Sequence, residues 1–280
     1  MKIGNTIHDF ETIHGQSKIK TLEKNLAIEK AKVEALSDVQ GKITIEKTDS
    51  STIRFGLIGD RHIGSLYHNS KAIQSFYNYC EQEGITTIYD CGDILDGHKI
   101  YKGQEFELRD LGFESQLRRL EKESPRNIKT RFITGNHDAS FKHLAGISVG
   151  TTIQEIIPEY EFLGEEQANI QFDTPNGKYV LGLIHPGGGS AYAISYRPQR
   201  IIESLEGGTK PNMLANGHFH KSEVIPSYRN VCGVQAGTFQ NQTPFMARQG
   251  LAAHVGGWII EIGVGKEYNR IKTEFIAYYK

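Results

Sequence analysis

Several absences narrow what this chain can be. Of its 280 residues only 3 are cysteine. Cys80, Cys91 and Cys232 are far apart and form no C-x-x-C pair, which argues against a disulfide framework or a thiolate zinc site and fits a reducing, intracellular compartment. Charge of one sign is missing too: 32 Lys and Arg face 33 Asp and Glu, a net charge of −1. No general basic field draws in a polyanion, so any phosphate must be held locally. No stretch approaches the roughly 18 apolar residues of a membrane span, and the opening MKIGNTIHDF has no apolar h-region. The expectation is a cytoplasmic protein with no membrane partner. No Walker loop occurs. With 38% hydrophobic and 23% charged residues the composition is that of a globular chain.

What is present in excess is histidine, 11 residues, and glycine, 30 residues, against a usual glycine content of roughly 7%. Residues 1–50 differ in character from the rest and read as an N-terminal helical extension to a domain over 51–280. From Ser17 to Gln40, Ile19, Leu22, Leu26, Val33 and Leu36 fall on a 3-4 spacing and Gly41 follows as a stop. This helix is expected either to lie on the main domain or to self-associate as a short coiled coil into a homo-oligomer, although Glu29 interrupts the stripe.

From Thr52 onward a short β-rich run ends five times in a glycine-bearing polar cluster. The runs are Thr52–Ile58, Ile85–Tyr89, Ile128–Ile133, Tyr179–Ile184 and Met213–Ala215. Helical spacing over Lys71–Glu83 and Glu105–Glu123 falls between some of them, so an α/β domain with a parallel or mixed sheet is predicted, its functional groups gathered where strands end. Later runs at Val231–Ala236, Trp258–Ile262 and Thr273–Tyr279 are expected to form a second sheet that completes a sandwich.

The residues ending the five runs are Asp60 and His62; Asp93 and Asp96; Asn136, His137 and Asp138; His185; and His218 and His220. All are oxygen or nitrogen donors, suited to manganese, iron, zinc or nickel with open positions for water and substrate. There are more than one ion needs. They match what two ions about 3.5–4 Å apart require to clamp the attacking and leaving oxygens of a phosphoryl displacement. In D-x-H and H-x-H, residues two apart in extended backbone point the same way. Gly59, Gly92, Gly135 and Gly217 each precede a donor, where a turn with positive φ would let backbone approach the ions.

Taken together, Gly59-Asp60-Arg61-His62, Gly92-Asp93-Ile94-Leu95-Asp96, Gly135-Asn136-His137-Asp138, His185 and Gly217-His218-Phe219-His220 resemble the ordered signature of the calcineurin-like metallophosphoesterases. The resemblance covers roughly 52–238. It implies an α/β (α+β) four-layer sandwich of two mixed β-sheets flanked by helices. It also implies two divalent cations, manganese being the first expectation, with Asp60, His62 and His220 on one, Asn136, His185 and His218 on the other, and Asp93 bridging. By the same resemblance a hydroxide between the ions attacks phosphorus, while His137, oriented by Asp96, stabilises charge or protonates the leaving oxygen. Asp138 is expected to brace its loop.

Protein Ser/Thr phosphatases of this family carry Arg and Glu where this chain has Gly97 and Asp138. The pattern looks more like the branch containing repair nucleases and cyclic-nucleotide phosphodiesterases. A phosphodiester substrate, nucleic acid or nucleotide, is therefore expected. The alternatives are a phosphomonoesterase or protein phosphatase, and a non-catalytic scaffold subunit, since some members have lost their ligands. Arg61 is a candidate phosphate contact or a salt bridge. His98, with His68 and His143, stands near enough to the motif loops to be a substrate-pocket candidate. His8, His14 and His254 read as solvated or structural. The run Pro186-Gly187-Gly188-Gly189 either widens the pocket mouth or offers backbone amides to phosphate.

Overall fold

A computed structural model describes residues 42–206, 208 and 210–279. The expected helix Ser17–Gln40, and the oligomer expected through it, lie outside the described residues. Two six-stranded sheets form the domain. The first has the order β12 (Asn269–Ala277), β11 (Gly256–Val264), β2 (Thr52–Ile58), β3 (Thr87–Asp90), β4 (Lys129–Thr134), β5 (Tyr160–Glu165). The second runs β1 (Lys42–Lys47), β6 (Gln167–Thr174), β7 (Gly177–Ile184), β8 (Met213–Asn216), β10 (Val231–Ala236), β9 (Ser222–Tyr228).

Alternation makes the sandwich. In β2 the residues Ile53, Phe55 and Leu57 point one way, as Tyr179, Leu181 and Leu183 do in β7, and all six lie in one core between the sheets. Burying each such side chain contributes about 1.5–3 kcal/mol. Outside the first sheet, α1 (Ser70–Gln82) sets Ile73, Phe76 and Cys80 against Ile88 and Ile259. On the same side α2 (Phe113–Glu123), α3 (Asn136–Ala145) and α4 (Val149–Ile156) bring Leu120, Phe141 and Ile153 onto Phe132. Over the second sheet, Ile202 of α5 (Tyr196–Ser204) packs with Leu214 and Val231. The order helix, sheet, sheet, helix is the expected four-layer sandwich.

Three details differ from the sequence reading. Lys42–Lys47 joins the second sheet as an edge strand, parallel to β6 from Lys42↔Ala168 to Lys47↔Asp173. The single helix expected over Glu105–Glu123 is divided into a turn at Gln104–Phe106 and α2. Gly112 breaks it, sitting at φ 81° just before α2 in a conformation a continuing helix cannot hold. Finally, the late strands do not share a sheet: β11 pairs antiparallel with β2, from Trp258↔Leu57 to Gly263↔Thr52, while β10 pairs with β8.

Strands β2, β3 and β4 are parallel neighbours, and so are β7 and β8. Their C-terminal ends carry the five donor loops.

Candidate metal centre

The loops are held by one another's backbone. Asp60 N–H donates to the Gly92 carbonyl at 2.9 Å, His62 N–H to the Asp93 carbonyl at 3.0 Å, and Phe239 N–H to the Asp60 carbonyl at 3.0 Å. The donors themselves adopt left-handed backbone: φ is 52° at Asp60, 49° at His62, 53° at Asp93, 78° at His218 and 54° at His220. Each such residue stores on the order of 1–3 kcal/mol that the surrounding fold must sustain, a pattern that clusters at functional sites. This corrects the expectation that the preceding glycines supply the positive φ. Of those four only Gly92 does, at 92°. Gly135 and Gly217 are needed because they are small: a Cβ at 135 would stand 2.7 Å from His185 Cε1, and one at 217 would stand 2.7 Å from the Cys91 carbonyl.

The side chains converge in two groups. In the first, His62 Nε2 lies 2.9 Å from His220 Nε2 and 4.0 Å from Asp60 Oδ1, and His220 Nε2 lies 3.7 Å from Asp60 Oδ1. In the second, His185 Nε2 lies 3.1 Å from Asn136 Oδ1 and 3.1 Å from Asp93 Oδ2. His218 belongs to the same group. Asp93 Oδ2 is also 3.9 Å from His62 Nε2, so one carboxylate faces both groups.

The ring tautomers follow from the outer partners. His62 Nδ1 bonds Asp96 Oδ1 at 2.9 Å, His185 Nδ1 bonds the Cys91 carbonyl at 2.7 Å, and His218 Nε2 bonds the Gly188 carbonyl at 2.6 Å. Each of these nitrogens carries the proton, which leaves the other nitrogen of a neutral ring as a lone-pair donor, the arrangement that prepares an imidazole for a metal.

The electrostatics reflect the crowding. Burial pushes the Asp60 carboxyl well above its ordinary value, with the nearby Asp93 charge adding to the shift. Burial would also raise Asp93, but the imidazoles of His185 and His137 hold it well below the carboxylate range. His185 shows the counterpart: burial opposes its protonation, yet Asp93 drives it up to about 10. Burial and neighbouring imidazoles keep His62 and His220 well below the usual imidazole range. His62 and His220 Nε2 lie 2.9 Å apart and His185 Nε2 lies 3.1 Å from Asn136 Oδ1, while His220 Nδ1 is buried and unpartnered. Hard and borderline donors gathered this closely, with one buried ring nitrogen left without a partner, fit divalent cations, and these His and Asp clusters are compatible with dinuclear metal binding.

His137 stands beside the first group, its ring edge-on to His62 with centroids 4.5 Å apart. Its Nδ1 bonds the Asp96 backbone carbonyl at 2.6 Å and lies 4.0 Å from the carboxylate. The expected Asp96–His137 orientation is therefore made by the main chain, and the Asp96 carboxylate serves His62 instead. Asp138 braces its loop as expected, accepting N–H groups from Leu95 and Gly135 at 2.9 Å and from Ile94 at 3.2 Å.

Two substrate candidates are corrected. Arg61 is 0% exposed, ion-paired to Asp90 Oδ2 at 2.8 Å and donating to Tyr160 Oη at 2.9 Å, so its guanidinium is buried and does not line the cleft over the donors. His98 is half-buried against Ser140 and does not line the cleft over the donors. Sequence reasoning missed Asp90, as well as Gln104 and Gln240, whose amides donate to Asp96; none carries a spacing signal. Removing one partner of a buried pair leaves the other charge uncompensated, so Asp90→Ala should lower unfolding free energy by about 3–5 kcal/mol. The double change Arg61→Met with Asp90→Leu should recover most of that loss in urea denaturation.

Above the donors is a cleft of about 560 Å³ lined by Tyr101, Phe245, Gly188, Gly189 and the two glutamines Gln240 and Gln249, besides the donors.

Comparisons with known proteins agree with this architecture. The family profile described as calcineurin-like phosphoesterase matches residues 53–222. Among curated proteins, the chain is 27% identical to a DNA polymerase II small subunit of Methanocaldococcus jannaschii, over 71% of this chain and 40% of that protein. It is 25% identical to a DNA polymerase II small subunit of Methanothermobacter thermautotrophicus, over 67% and 48%. The chain thus spans less than half the length of these curated relatives. Among solved structures, GAP50, described as the anchor in the inner membrane complex of Plasmodium, superposes with a TM-score of 0.51 at 14% identity, covering 81% of this chain and 84% of that one. That likeness is one of fold. No helix among the described residues is long and apolar enough to cross a membrane.

Proposed function

The chain belongs to the calcineurin-like phosphoesterases, and from that premise we propose that it is a metal-dependent phosphodiesterase acting on a nucleotide or nucleic acid. The observation that carries this reading is the convergence of seven donors from five loops, one of them the shared carboxylate Asp93. Asp60, His62 and His220 would hold one divalent cation, Asn136, His185 and His218 a second, and Asp93 both, with manganese the first to try. Such cations supply Lewis acidity, neutralising charge on the phosphoryl oxygens and making water acidic enough to attack at neutral pH.

The protein's own groups do the rest. With its Nδ1–H donating to the Asp96 carbonyl, His137 as the imidazolium would present Nε2–H to the cleft. From there it delivers a proton to the ester oxygen as that oxygen leaves phosphorus. Asp96 fixes the His62 ring, so Asp96→Asn should weaken metal affinity by about 10–100-fold and leave the pH profile of kcat at saturating Mn²⁺ unchanged. Metal titration and rate measurements would check both halves.

A diester is favoured over a phosphoprotein because position 97 admits no side chain. Gly97 has φ 73°, and a Cβ there would collide with the His137 carbonyl and stand 2.7 Å from Ser140 Oγ. The arginine that protein phosphatases carry at this position has no room.

The test is hydrolysis of bis- and mono-p-nitrophenyl phosphate by the metal-loaded chain. The expected result is Mn²⁺-stimulated cleavage of the diester; cleavage of the monoester alone would replace the reading with a phosphomonoesterase. A second reading, a non-catalytic subunit of a polymerase, is favoured by the name both curated relatives carry. Absence of bound metal and of hydrolysis on both substrates would support it.

A further inference from the structure

The donors account for one part of the cleft; another part is aromatic. Tyr101, in the loop after Asp96, and Phe245, in α6 (Pro244–Arg248), stack with ring centroids 4.5 Å apart and planes inclined by 21°. Both rings are half-buried and line the cleft together with Ile100 and Leu251. The stack is built rather than incidental. Tyr101 Oη donates to Glu107 at 2.9 Å, and Phe245 lies one residue past Pro244 in a helix whose first turn is capped by Thr243 Oγ1, which accepts the Met246 N–H at 3.1 Å.

The stack is also tied to the donor cluster. Ile100 N–H donates to Gln104 Oε1 at 2.9 Å, and Gln104 Nε2 donates to the Asp96 carbonyl at 2.7 Å. That same carbonyl receives His137 Nδ1. One glutamine therefore sets the spacing between the aromatic wall and the group assigned to the leaving oxygen.

Among the described residues, no Lys or Arg side chain lines the cleft. A site for a long polyanion would need such charges along the strand. What lines this one instead is a π surface with amides nearby, Gln240 and Gln249. Its volume, about 560 Å³, lies within the roughly 300–1,000 Å³ of small-molecule sites.

We propose that the Tyr101–Phe245 stack is a platform for a nucleobase, so that the cleft takes a nucleotide-sized phosphodiester in preference to a polynucleotide. The proposal rests on the phosphodiesterase reading for its chemistry, but its binding can be measured separately. Titration calorimetry of the full chain, with and without Mn²⁺, would compare AMP with ribose 5-phosphate, which lacks the base. Stacking on an aromatic side chain is expected to make AMP bind more tightly by about 5–150-fold. Tyr101→Leu and Phe245→Leu, which keep apolar volume and remove a ring, should each collapse that ratio toward one. Tyr101→Phe, which keeps the ring, should preserve it.

Equal affinity for the two ligands, or a preference that survives both leucine variants, would overturn the platform. A single-stranded oligonucleotide that binds more tightly than AMP, with steep salt dependence, would overturn the size preference. A retained AMP preference with no diester hydrolysis under any metal would instead leave the platform standing and remove the phosphodiesterase reading.

Discussion

Asp93→Ala is expected to release both cations and to lower diester hydrolysis by at least about 100-fold, since loss of even an outer partner of a metal ligand costs 10–100-fold. The geometry makes this the most damaging single change. Its Oδ2 stands 3.1 Å from His185 Nε2 and 3.9 Å from His62 Nε2, so each candidate cation position draws on it. Its Oδ1 accepts the His137 N–H at 2.8 Å, so the turn that carries Asn136 and His137 loses its anchor in the same step. Metal content by elemental analysis, beside the rate, separates the two effects. A variant that keeps both ions would show that Asp93 is not shared.

His137→Ala is expected to give the opposite combination: two ions retained and kcat reduced by about 10²–10⁴-fold, the usual contribution of one positioned acid. Only the ring is removed. The backbone N–H that holds Asp93 remains, and none of the convergent distances among His62, His185, His220 and the carboxylates involves the His137 side chain. KM should change little, because the lost interaction develops as the leaving oxygen gains charge. Full activity in this variant would show that the His137 ring is not the acid.

Much of this arrangement is legible in the sequence because it is local. Thr52–Ile58 and Val231–Ala236 are strands with the boundaries their apolar runs suggest. The order of Asp60, Asp93, Asn136, His185 and His218 along the chain follows the order in which parallel strands end. The family profile and the sandwich agree with the resemblance those motifs carry, while the assigned roles of the individual donors await the variants above.

What was not legible depends on partners distant in sequence. Lys42–Lys47 is a strand only because Ala168–Asp173 lies beside it. Arg61 sits inside a motif and looks available, but Asp90 and Tyr160, 29 and 99 residues away, claim its guanidinium. The positive φ values fall on the donors rather than the glycines because the crossing loops, not intrinsic preference, decide which residue turns. Tyr101 and Phe245 carry no shared pattern at all, and only the packing of α6 against the loop after Asp96 makes them a pair.

The most direct test of a two-cation phosphodiesterase is the rate of bis-p-nitrophenyl phosphate hydrolysis by chelator-treated protein as Mn²⁺ is restored, followed in wild type and Asp93→Ala. The predicted result is activity that returns as two equivalents bind to the wild type and never returns in the variant. Hydrolysis that persists undiminished after the metal is stripped, or that returns equally in Asp93→Ala, would contradict it.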